Sequence, residues 1–382
     1  MKSDWAIRTI ESLCTRVTSG GTPSRKVPAY FESQTDSIPW VKTAELNDGT
    51  IWETEEHISQ QAIADSSAKL LPPNTLLLAM YGATVGQLGI LGRSMTCNQA
   101  SCALIVDPDA ADFRFLFYRL LHDRASLISL AVGGAQQNLS GNTIKKFSFL
   151  CPPLEEQRRI AGVLSGLDGL IEMNRVLAAQ AEDLARALVG RSPNTCSLSD
   201  LAKTEKMTEM PSGQVEHFSL PAFDSGALPE RVLGSEIRSA KTLLTRPTAL
   251  VSRLNPKNPR VWMAYPGADQ KAFASTEFVA LVGESVCTEV VWAVCSSFSF
   301  SDTIQTLVSG TTGSHQRVDK AAVLQVSVPD ARTLSPATTA TVSSLVHQAH
   351  SLRRENQQLS TVRNELLPLL MSGTISVGKV AA

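Results

Sequence analysis

Two polar turn clusters carry the residue types best suited to reading the edges of another molecule. The first is Gly133-Gly134-Ala135-Gln136-Gln137-Asn138-Leu139-Ser140, followed by Lys145 and Lys146. The side-chain amides of Gln136, Gln137 and Asn138 suit paired hydrogen bonds to an adenine edge in a DNA major groove, whereas Lys and Ser suit phosphate. The second is Gly310-Thr311-Thr312-Gly313-Ser314-His315-Gln316-Arg317, in which Arg317 suits phosphate or guanine. Arg246, Arg253, Lys257 and Arg260 form a local basic run around Asn255. Solvated surface loops are the alternative for all three segments.

Catalytic signatures do not accompany them. The chain has no G-x-x-x-x-G-K-[ST] phosphate loop, no G-x-S-x-G elbow and no H-E-x-x-H pair. Asn255-Pro256 is followed by Lys257-Asn258, where an amino-methyltransferase motif needs an aromatic stacking partner. Tyr81-Gly82-Ala83-Thr84-Val85-Gly86 lacks the third glycine of a dinucleotide loop. His347 and His350 stand i,i+3 but within a heptad pattern, with no further ligand nearby, so no metal site is expected. Seven cysteines without a C-x-x-C pair read as reduced thiols.

The elements that position the loops are legible as two copies of one plan. A mixed, Gly- and Pro-punctuated stretch runs into a helix near Pro153–Arg191, and a second stretch runs into a helix near Pro336–Ser372. In the first helix the seam is Ile160, Leu164, Leu167, Ile171, Asn174, Ala178, Ala181, Ala185 and Leu188, stepping alternately by four and three. The second repeats it with Val342, Leu345, Ala349, Leu352, Asn356, Leu359, Arg363, Leu366 and Leu370. Asn174 and Asn356 are polar interruptions that fix register at some cost in stability. Leu170, Leu177 and Leu184 widen the first stripe toward a third surface. Pro152-Pro153-Leu154-Glu155-Glu156 opens one helix; Ser335-Pro336 caps the other, and Gly373 ends it.

A shift of 182 carries Asn174, Leu177, Leu184 and Leu188 onto Asn356, Leu359, Leu366 and Leu370. Upstream, a shift of 177 carries Leu104, Gly133 and Pro152 onto Leu281, Gly310 and Pro329. Ordered matches of this kind mark an internal repeat. Strands are expected at Thr75–Met80, Cys102–Val106, Ala249–Leu254, Val261–Ala264 and Phe278–Val282, and an amphipathic helix at Phe113–Leu127. The expected organisation is a head at 1–152, a helix at 153–191, a second head at 192–334 with a polar linker at 192–214, a helix at 335–373, and a tail at 374–382.

Composition bounds the partners. The 382 residues carry 35 basic and 36 acidic side chains, a net charge of −1, so the chain alone should bind DNA of arbitrary sequence poorly. No apolar run reaches membrane-spanning length, and the N-terminal residues carry no signal-peptide core, so a cytoplasmic location is expected.

An ordered series of motifs resembles the specificity subunits of type I restriction–modification systems. It comprises Ser19-Gly20-Gly21-Thr22-Pro23-Ser24, Ile38-Pro39-Trp40-Val41-Lys42-Thr43, Asn74-Thr75-Leu76-Leu77 with Tyr81–Gly86, Cys97-Asn98-Gln99-Ala100, Gln136-Gln137-Asn138-Leu139 and Pro152-Pro153-Leu154-Glu155-Glu156-Gln157. The second half keeps Ala274-Ser275-Thr276-Glu277-Phe278, Gly310–Arg317 and Glu365–Gly373. It replaces the second Pro-Pro-Leu-Glu-Glu-Gln segment by Val328–Pro336.

The resemblance implies an α+β fold: two mixed α/β target recognition domains, each followed by a long helix, the helices pairing as an antiparallel coiled coil with a pseudo-twofold repeat. Each domain would read half of a split DNA target, the helices would set the spacer, and two methylation subunits would dock, with restriction subunits where present. The chain itself would be non-catalytic, and S-adenosylmethionine, ATP and magnesium would belong to its partners. Candidate DNA contacts are Ser19, Gly21, Thr22, Lys42, Thr43, Tyr81, Thr84, Gln87, Gln136, Gln137, Asn138 and Lys145 in the first half. In the second they are Arg246, Arg253, Asn255, Lys257, Ser314, His315, Gln316 and Arg317. Glu155, Glu156 and Gln157 are the candidate docking residues. A coiled-coil adapter binding protein partners in another defence complex is the competing reading.

Overall fold

The computed structural model describes residues 4–31, 37–131, 138–308 and 316–378. The chain forms two compact units, Met1–Gly169 with Ser360–Ala382, and Leu170–Leu359. The division falls inside both long helices, so each unit is a head with one stretch of each helix.

In the first unit β1 (Ala6–Thr9) leads through a short turn into β2 (Cys14–Ser19), followed by β3 (Ile38–Val41), β4 (Gly49–Ile51), β5 (His57–Ile58) and α1 (Gln60–Ala64). Then come β6 (Leu76–Ala79), β7 (Leu88–Leu91), β8 (Thr96–Cys97), β9 (Ser101–Val106), α2 (Phe113–His122), α3 (Arg124–Ile128), α4 (Gly141–Lys146) and β10 (Ser148–Cys151). The main sheet has the order β2-β9-β6-β7-β4, a smaller one β5-β3-β8, and β1 pairs antiparallel with β10. All four residues of β6 are buried, which is why this central strand reads as a continuous apolar run without alternation. The amphipathic pattern expected over Phe113–Leu127 is two helices. It breaks at Asp123, whose carboxylate turns back to accept from Arg119 Nε at 2.6 Å.

Next comes the 36-residue helix α5 (Leu154–Val189), and the second head follows with β11 (Thr195–Ser197), β12 (Ala202–Thr204), β13 (Thr208–Glu209), β14 (Gln214–Phe218), α6 (Leu220–Asp224), β15 (Glu230–Leu233) and β16 (Lys241–Leu244). It continues through β17 (Thr248–Ser252), β18 (Val261–Ala264), β19 (Lys271–Ala274), β20 (Phe278–Gly283), α7 (Thr288–Cys295), α8 (Phe298–Thr306), α9 (Lys320–Leu324) and β21 (Ser327–Pro329). The long helix α10 (Pro336–Met371) closes the series.

The repeat is visible in the order of the shared strands. Order β12-β20-β17-β18 repeats β2-β9-β6-β7, and β11 pairs with β21 as β1 does with β10. The parallel β3–β8 pair flanked by antiparallel β5 recurs as β14–β19 flanked by β15.

The linker expected at 192–214 is instead the first part of the second head. It supplies β11, β12 and β13, and Leu198, Leu201 and Ala202 are buried in the core. Strands of two or three residues are too short to show a period. Their pairing comes from β20, β21 and β16, far along the chain.

Within each unit the helices run antiparallel. In the first, Ile160, Ala161 and Leu164 share a core with Leu370 and Met371, and Arg363 Nη1 donates to Asp168 Oδ1 at 2.8 Å. In the second, Ala178 and Ala181 pack on Ala349, and Arg353 Nη1 meets Glu182 Oε1 at 2.5 Å. Asn356 Nδ2 donates to the Ile171 carbonyl at 2.9 Å, and Asn174 is buried in the same stretch. Both asparagines therefore lie at the helix contact, where a polar group holds register.

Candidate nucleic-acid interface

Each head contains a main-chain crossing that joins two distant loops. In the first, Tyr81, just past β6, forms an antiparallel bridge with Asn138, and Leu139 N–H donates to the Met80 carbonyl at 2.7 Å. In the second, Leu254, just past β17, bridges Arg317, and Val318 N–H donates to the Arg253 carbonyl at 3.0 Å. The third strand of each crossing is also shared. Met80 N–H donates to Ala100, and Arg253 N–H donates to Glu277, each at 2.8 Å. Past the crossing the backbone turns left-handed at Gly82 (φ 84°) and at Asn255 (φ 51°), glycine and asparagine being the residues that tolerate this region.

These crossings gather several of the residues singled out from the sequence. Tyr81 meets Asn138; Arg253 and Asn255 meet Gln316 and Arg317, with Asn255 N–H donating to Gln316 O at 2.9 Å and Arg253 Nε to Val318 O at 3.0 Å. Thr84 and Gln87 sit in the turn after Tyr81, where Gln87 N–H donates to Thr84 O at 2.9 Å. Gln136, Gln137, Ser314 and His315 lie outside the described residues.

The other candidates are placed differently. Gly21 is buried and, with Gly20, forms a tight backbone contact: a Cβ at Gly21 would stand 2.3 Å from Ala68 N, and one at Gly20 2.2 Å from Cys97 O. The Gly21 carbonyl accepts Trp40 Nε1 at 3.0 Å, so this glycine holds the loop in place and offers nothing to a ligand. Ser19 and Thr22 on either side are exposed, and Lys69 Nζ donates to Ser19 O at 2.8 Å. Lys42 is engaged by Glu55 (2.8 Å) and Glu56 (3.2 Å), hydrogen bonds that push its ammonium pKa up; Thr43 beside it is half-buried. Lys145 pairs with Glu11 at 3.3 Å.

The basic run of the second half is not one cluster. Arg246 and Arg253 lie beyond opposite ends of β17, roughly 20 Å apart along an extended strand. Arg246 pairs with Glu205 at 3.1 Å, and Arg260 makes two bonds to Asp224, at 2.6 and 2.9 Å, which hold that carboxyl below its usual range. Lys257 is exposed and makes no salt bridge among the described residues.

Of the three docking candidates, Gln157 is corrected. Its side chain is 2% exposed: Nε2 donates to the Pro152 carbonyl at 2.9 Å, and Oε1 accepts from Asp112 N–H at 3.0 Å. Those bonds tie the start of α5 to the cap of α2, so Gln157 latches the fold. Glu155 is exposed, while Glu156 is engaged by Arg159.

His347 and His350 pack on the ring of Tyr265, with centroids at 5.2 and 4.6 Å. Burial, and then the charges of Arg354, His347 and Arg353, push His350 down to about 4. Among the described residues no group of three or more His, Cys, Asp or Glu is placed to hold a metal ion.

Sequence reasoning missed two features. Arg25 lies over the Phe31 ring at 4.3 Å and pairs with Glu56 at 2.6 Å, a cluster without a motif. Glu277 belongs to a motif but not to the list of contacts, yet it pairs with Arg317 at 2.7 Å. The only signal for it is its place in the repeat, opposite Ala100.

Comparison with known proteins follows the same line. Residues 2–183 match the family model described as the type I restriction modification DNA specificity domain. The MjaIX type I restriction enzyme specificity subunit of Methanocaldococcus jannaschii is 30% identical over 174 residues, 44% of this chain and 39% of that protein. The EcoR124I/EcoR124II specificity subunit of Escherichia coli is 26% identical over 157 residues, 40% of this chain and 38% of that protein. The matching stretch thus spans about two-fifths of these curated relatives. The crystal structure of a type I restriction–modification S subunit from M. genitalium superposes with a TM-score of 0.59 over 96% of both chains, at 17% identity, which establishes the shared fold.

Proposed function

From the match of residues 2–183 to the type I restriction modification DNA specificity domain, we propose that the chain is the sequence-recognition subunit of such a complex. Each head reads one half of a split, asymmetric target in double-stranded DNA. The observation that carries this reading is the duplicated crossing: one backbone arrangement presents Tyr81 and Asn138 in one head and Leu254 and Arg317 in the other. A repeated frame with unlike side chains suits two different half-sites.

The helices act as the spacer and as the dock for two methylation subunits. Supporting this, Leu170, Met173, Leu177 and Leu184 of α5 are exposed on one face at helical spacing, an apolar stripe suited to a partner. The chain contributes no catalytic step. Methyl transfer from S-adenosylmethionine, and ATP- and magnesium-dependent translocation and cleavage where restriction subunits join, reside in the partners. A cytoplasmic location accords with this role, and among the described residues no helix is long and apolar enough to cross a membrane.

The test is binding to a randomised duplex library across a salt series, with and without a methylation subunit. Selection of two short conserved blocks at a fixed gap, with affinity falling steeply as salt rises, is the expected result. Equal binding to every sequence with every methylation partner overturns the reading.

A further inference from the structure

The two crossings are alike in backbone and differ in charge: one is neutral, the other holds an ion pair. Ala100 and Glu277 hold the same place, each accepting the N–H of the residue just past the central strand, Met80 or Arg253. Asn138 and Arg317 likewise occupy the same bridge position. The first head therefore sets a neutral amide beside alanine. The second sets a guanidinium beside a carboxylate, with Arg317 Nη2 at 2.7 Å from Glu277 Oε1. The Arg317 side chain is 54% exposed, whereas Glu277 is 26% exposed and anchored through its main chain.

An arginine in a DNA-binding loop has two competing uses. It binds phosphate without regard to sequence, or it takes the O6 and N7 acceptors of guanine with two N–H groups. A neighbouring carboxylate separates them. A phosphate seated on this guanidinium would be brought close to the negative charge of Glu277, whereas the guanine edge carries no net charge. The guanidinium is a planar fork of five N–H donors, and the Arg317 side chain remains about half exposed beside Glu277. The bond also restrains a long side chain that would otherwise lose rotamer freedom on binding.

Resting on the function proposed above, we propose that Arg317 reads a guanine in the half-site of the second head and that Glu277 is its positioning residue, turning Arg317 from phosphate toward the base. Asn138, in the same place in the first head without a carboxylate, leaves that head without this contact, so the two half-sites differ in chemistry at the equivalent step.

The experiment uses the full chain assembled with its methylation subunit and a duplex library randomised over both half-sites. Wild type is compared with Arg317→Ala and Glu277→Gln, and affinity for the best sequence is followed against salt. Wild type selects a guanine, on either strand, at one position of one half-site. Arg317→Ala lowers that preference by about 5- to 140-fold, the range of a lost bidentate base contact, with the salt slope unchanged. Glu277→Gln weakens the same preference and steepens the slope by about one charge as Arg317 moves to phosphate.

The other half-site is the internal control, and its selection persists in both variants. If Arg317→Ala weakens binding to all sequences alike and flattens the slope by about one, Arg317 is a phosphate clamp and the inference is overturned. It is overturned equally if Glu277→Gln changes neither preference nor slope. Selection in both half-sites that ignores both residues removes only this inference. Absence of selection in either half-site, for wild type, removes the proposed function as well.

Discussion

Asp168 joins three elements of the first unit. Its Oδ2 accepts from Tyr118 Oη of α2 at 2.6 Å, and its Oδ1 accepts from Arg363 Nη1 of α10 at 2.8 Å, while Asp168 itself belongs to α5. Tyr118 is 3% exposed, and burial, followed by the bond to Asp168, raises its pKa far above the ordinary phenol value, so it remains a proton donor at any working pH. Replacing Asp168 by Ala strands a buried hydroxyl and leaves a half-buried cation without its partner. The hydroxyl term is about 1.5–3 kcal/mol for a hydrogen bond to a charged acceptor, and the ion pair adds up to about 1 kcal/mol.

Asp168→Ala should therefore destabilise the first unit by about 1.5–4 kcal/mol, a fall in its melting transition of about 3–16 °C for a unit of this size. Asp168→Asn keeps an acceptor for Tyr118 and loses only the ion pair, so it should cost about 1 kcal/mol. Tyr118→Phe removes the hydroxyl with its partner still paired to Arg363, at about 1 kcal/mol. Calorimetry on the full chain, together with the Asp168/Tyr118 double-mutant cycle, measures the coupling, expected at about 1 kcal/mol or more. A coupling near zero, or Asp168→Ala within about 0.5 kcal/mol of wild type, would refute the reading of this triad as the tie between head and helices.

Gln157→Ala should lower stability of the first unit by about 2–3 kcal/mol in urea unfolding, because the Pro152 carbonyl and the Asp112 N–H lose their partner together. Exposed Glu155→Ala should leave that midpoint unmoved; if it weakens methylation-subunit binding, docking at this helix start belongs to the glutamate. His350 is held near 4 when folded and titrates near 6.5 when unfolded, so between these values the unfolded chain binds more protons. Its contribution to the second unit is complete above about pH 6.5 and falls by about 1–3 kcal/mol as pH drops toward 4; His350→Gln should flatten the pH–stability curve there. Inserting one heptad into each long helix, about 10.5 Å per helix, should widen the gap between half-sites by about 3 base pairs while both half-sites stay unchanged; an unaltered gap in the methylated target would refute the spacer role.

The long helices were legible because their signals are local and repeated. Their expected starts lie within one residue of Leu154 and Pro336. The cap is present as drawn, with Ser335 Oγ accepting Thr338 N–H at 3.1 Å and Gly373 left-handed at φ 65°. The central strands were legible as short apolar runs. What escaped reading was set by pairing between distant segments: β11 to β13 looked like a linker because two or three residues show no period. The basic run of the second half misled for the converse reason, since neighbours in sequence are separated by an extended strand. Gln157 misled because an exposed-looking polar motif supplies an internal latch. Glu277 had no local signal at all, and only the repeated crossing gives it a place beside Arg317.

The crossings also show which positions are free to change. At Gly20 and Gly21 any side chain would meet backbone at 2.2–2.3 Å, so the loop frame admits no substitution without moving strands. At Ala100 and Glu277, by contrast, the frame is held by bonds to their main-chain carbonyls, which do not depend on the side chain. Exchanging the partly exposed pair Arg317–Glu277 for neutral residues should cost about 1 kcal/mol of stability. A gained or lost base contact is worth about 1–3 kcal/mol of discrimination. Recognition at these positions is thus more sensitive to substitution than folding is. On the function proposed above, one head could diverge in the sequence it reads while its twin, built on the same strand order, keeps its own preference.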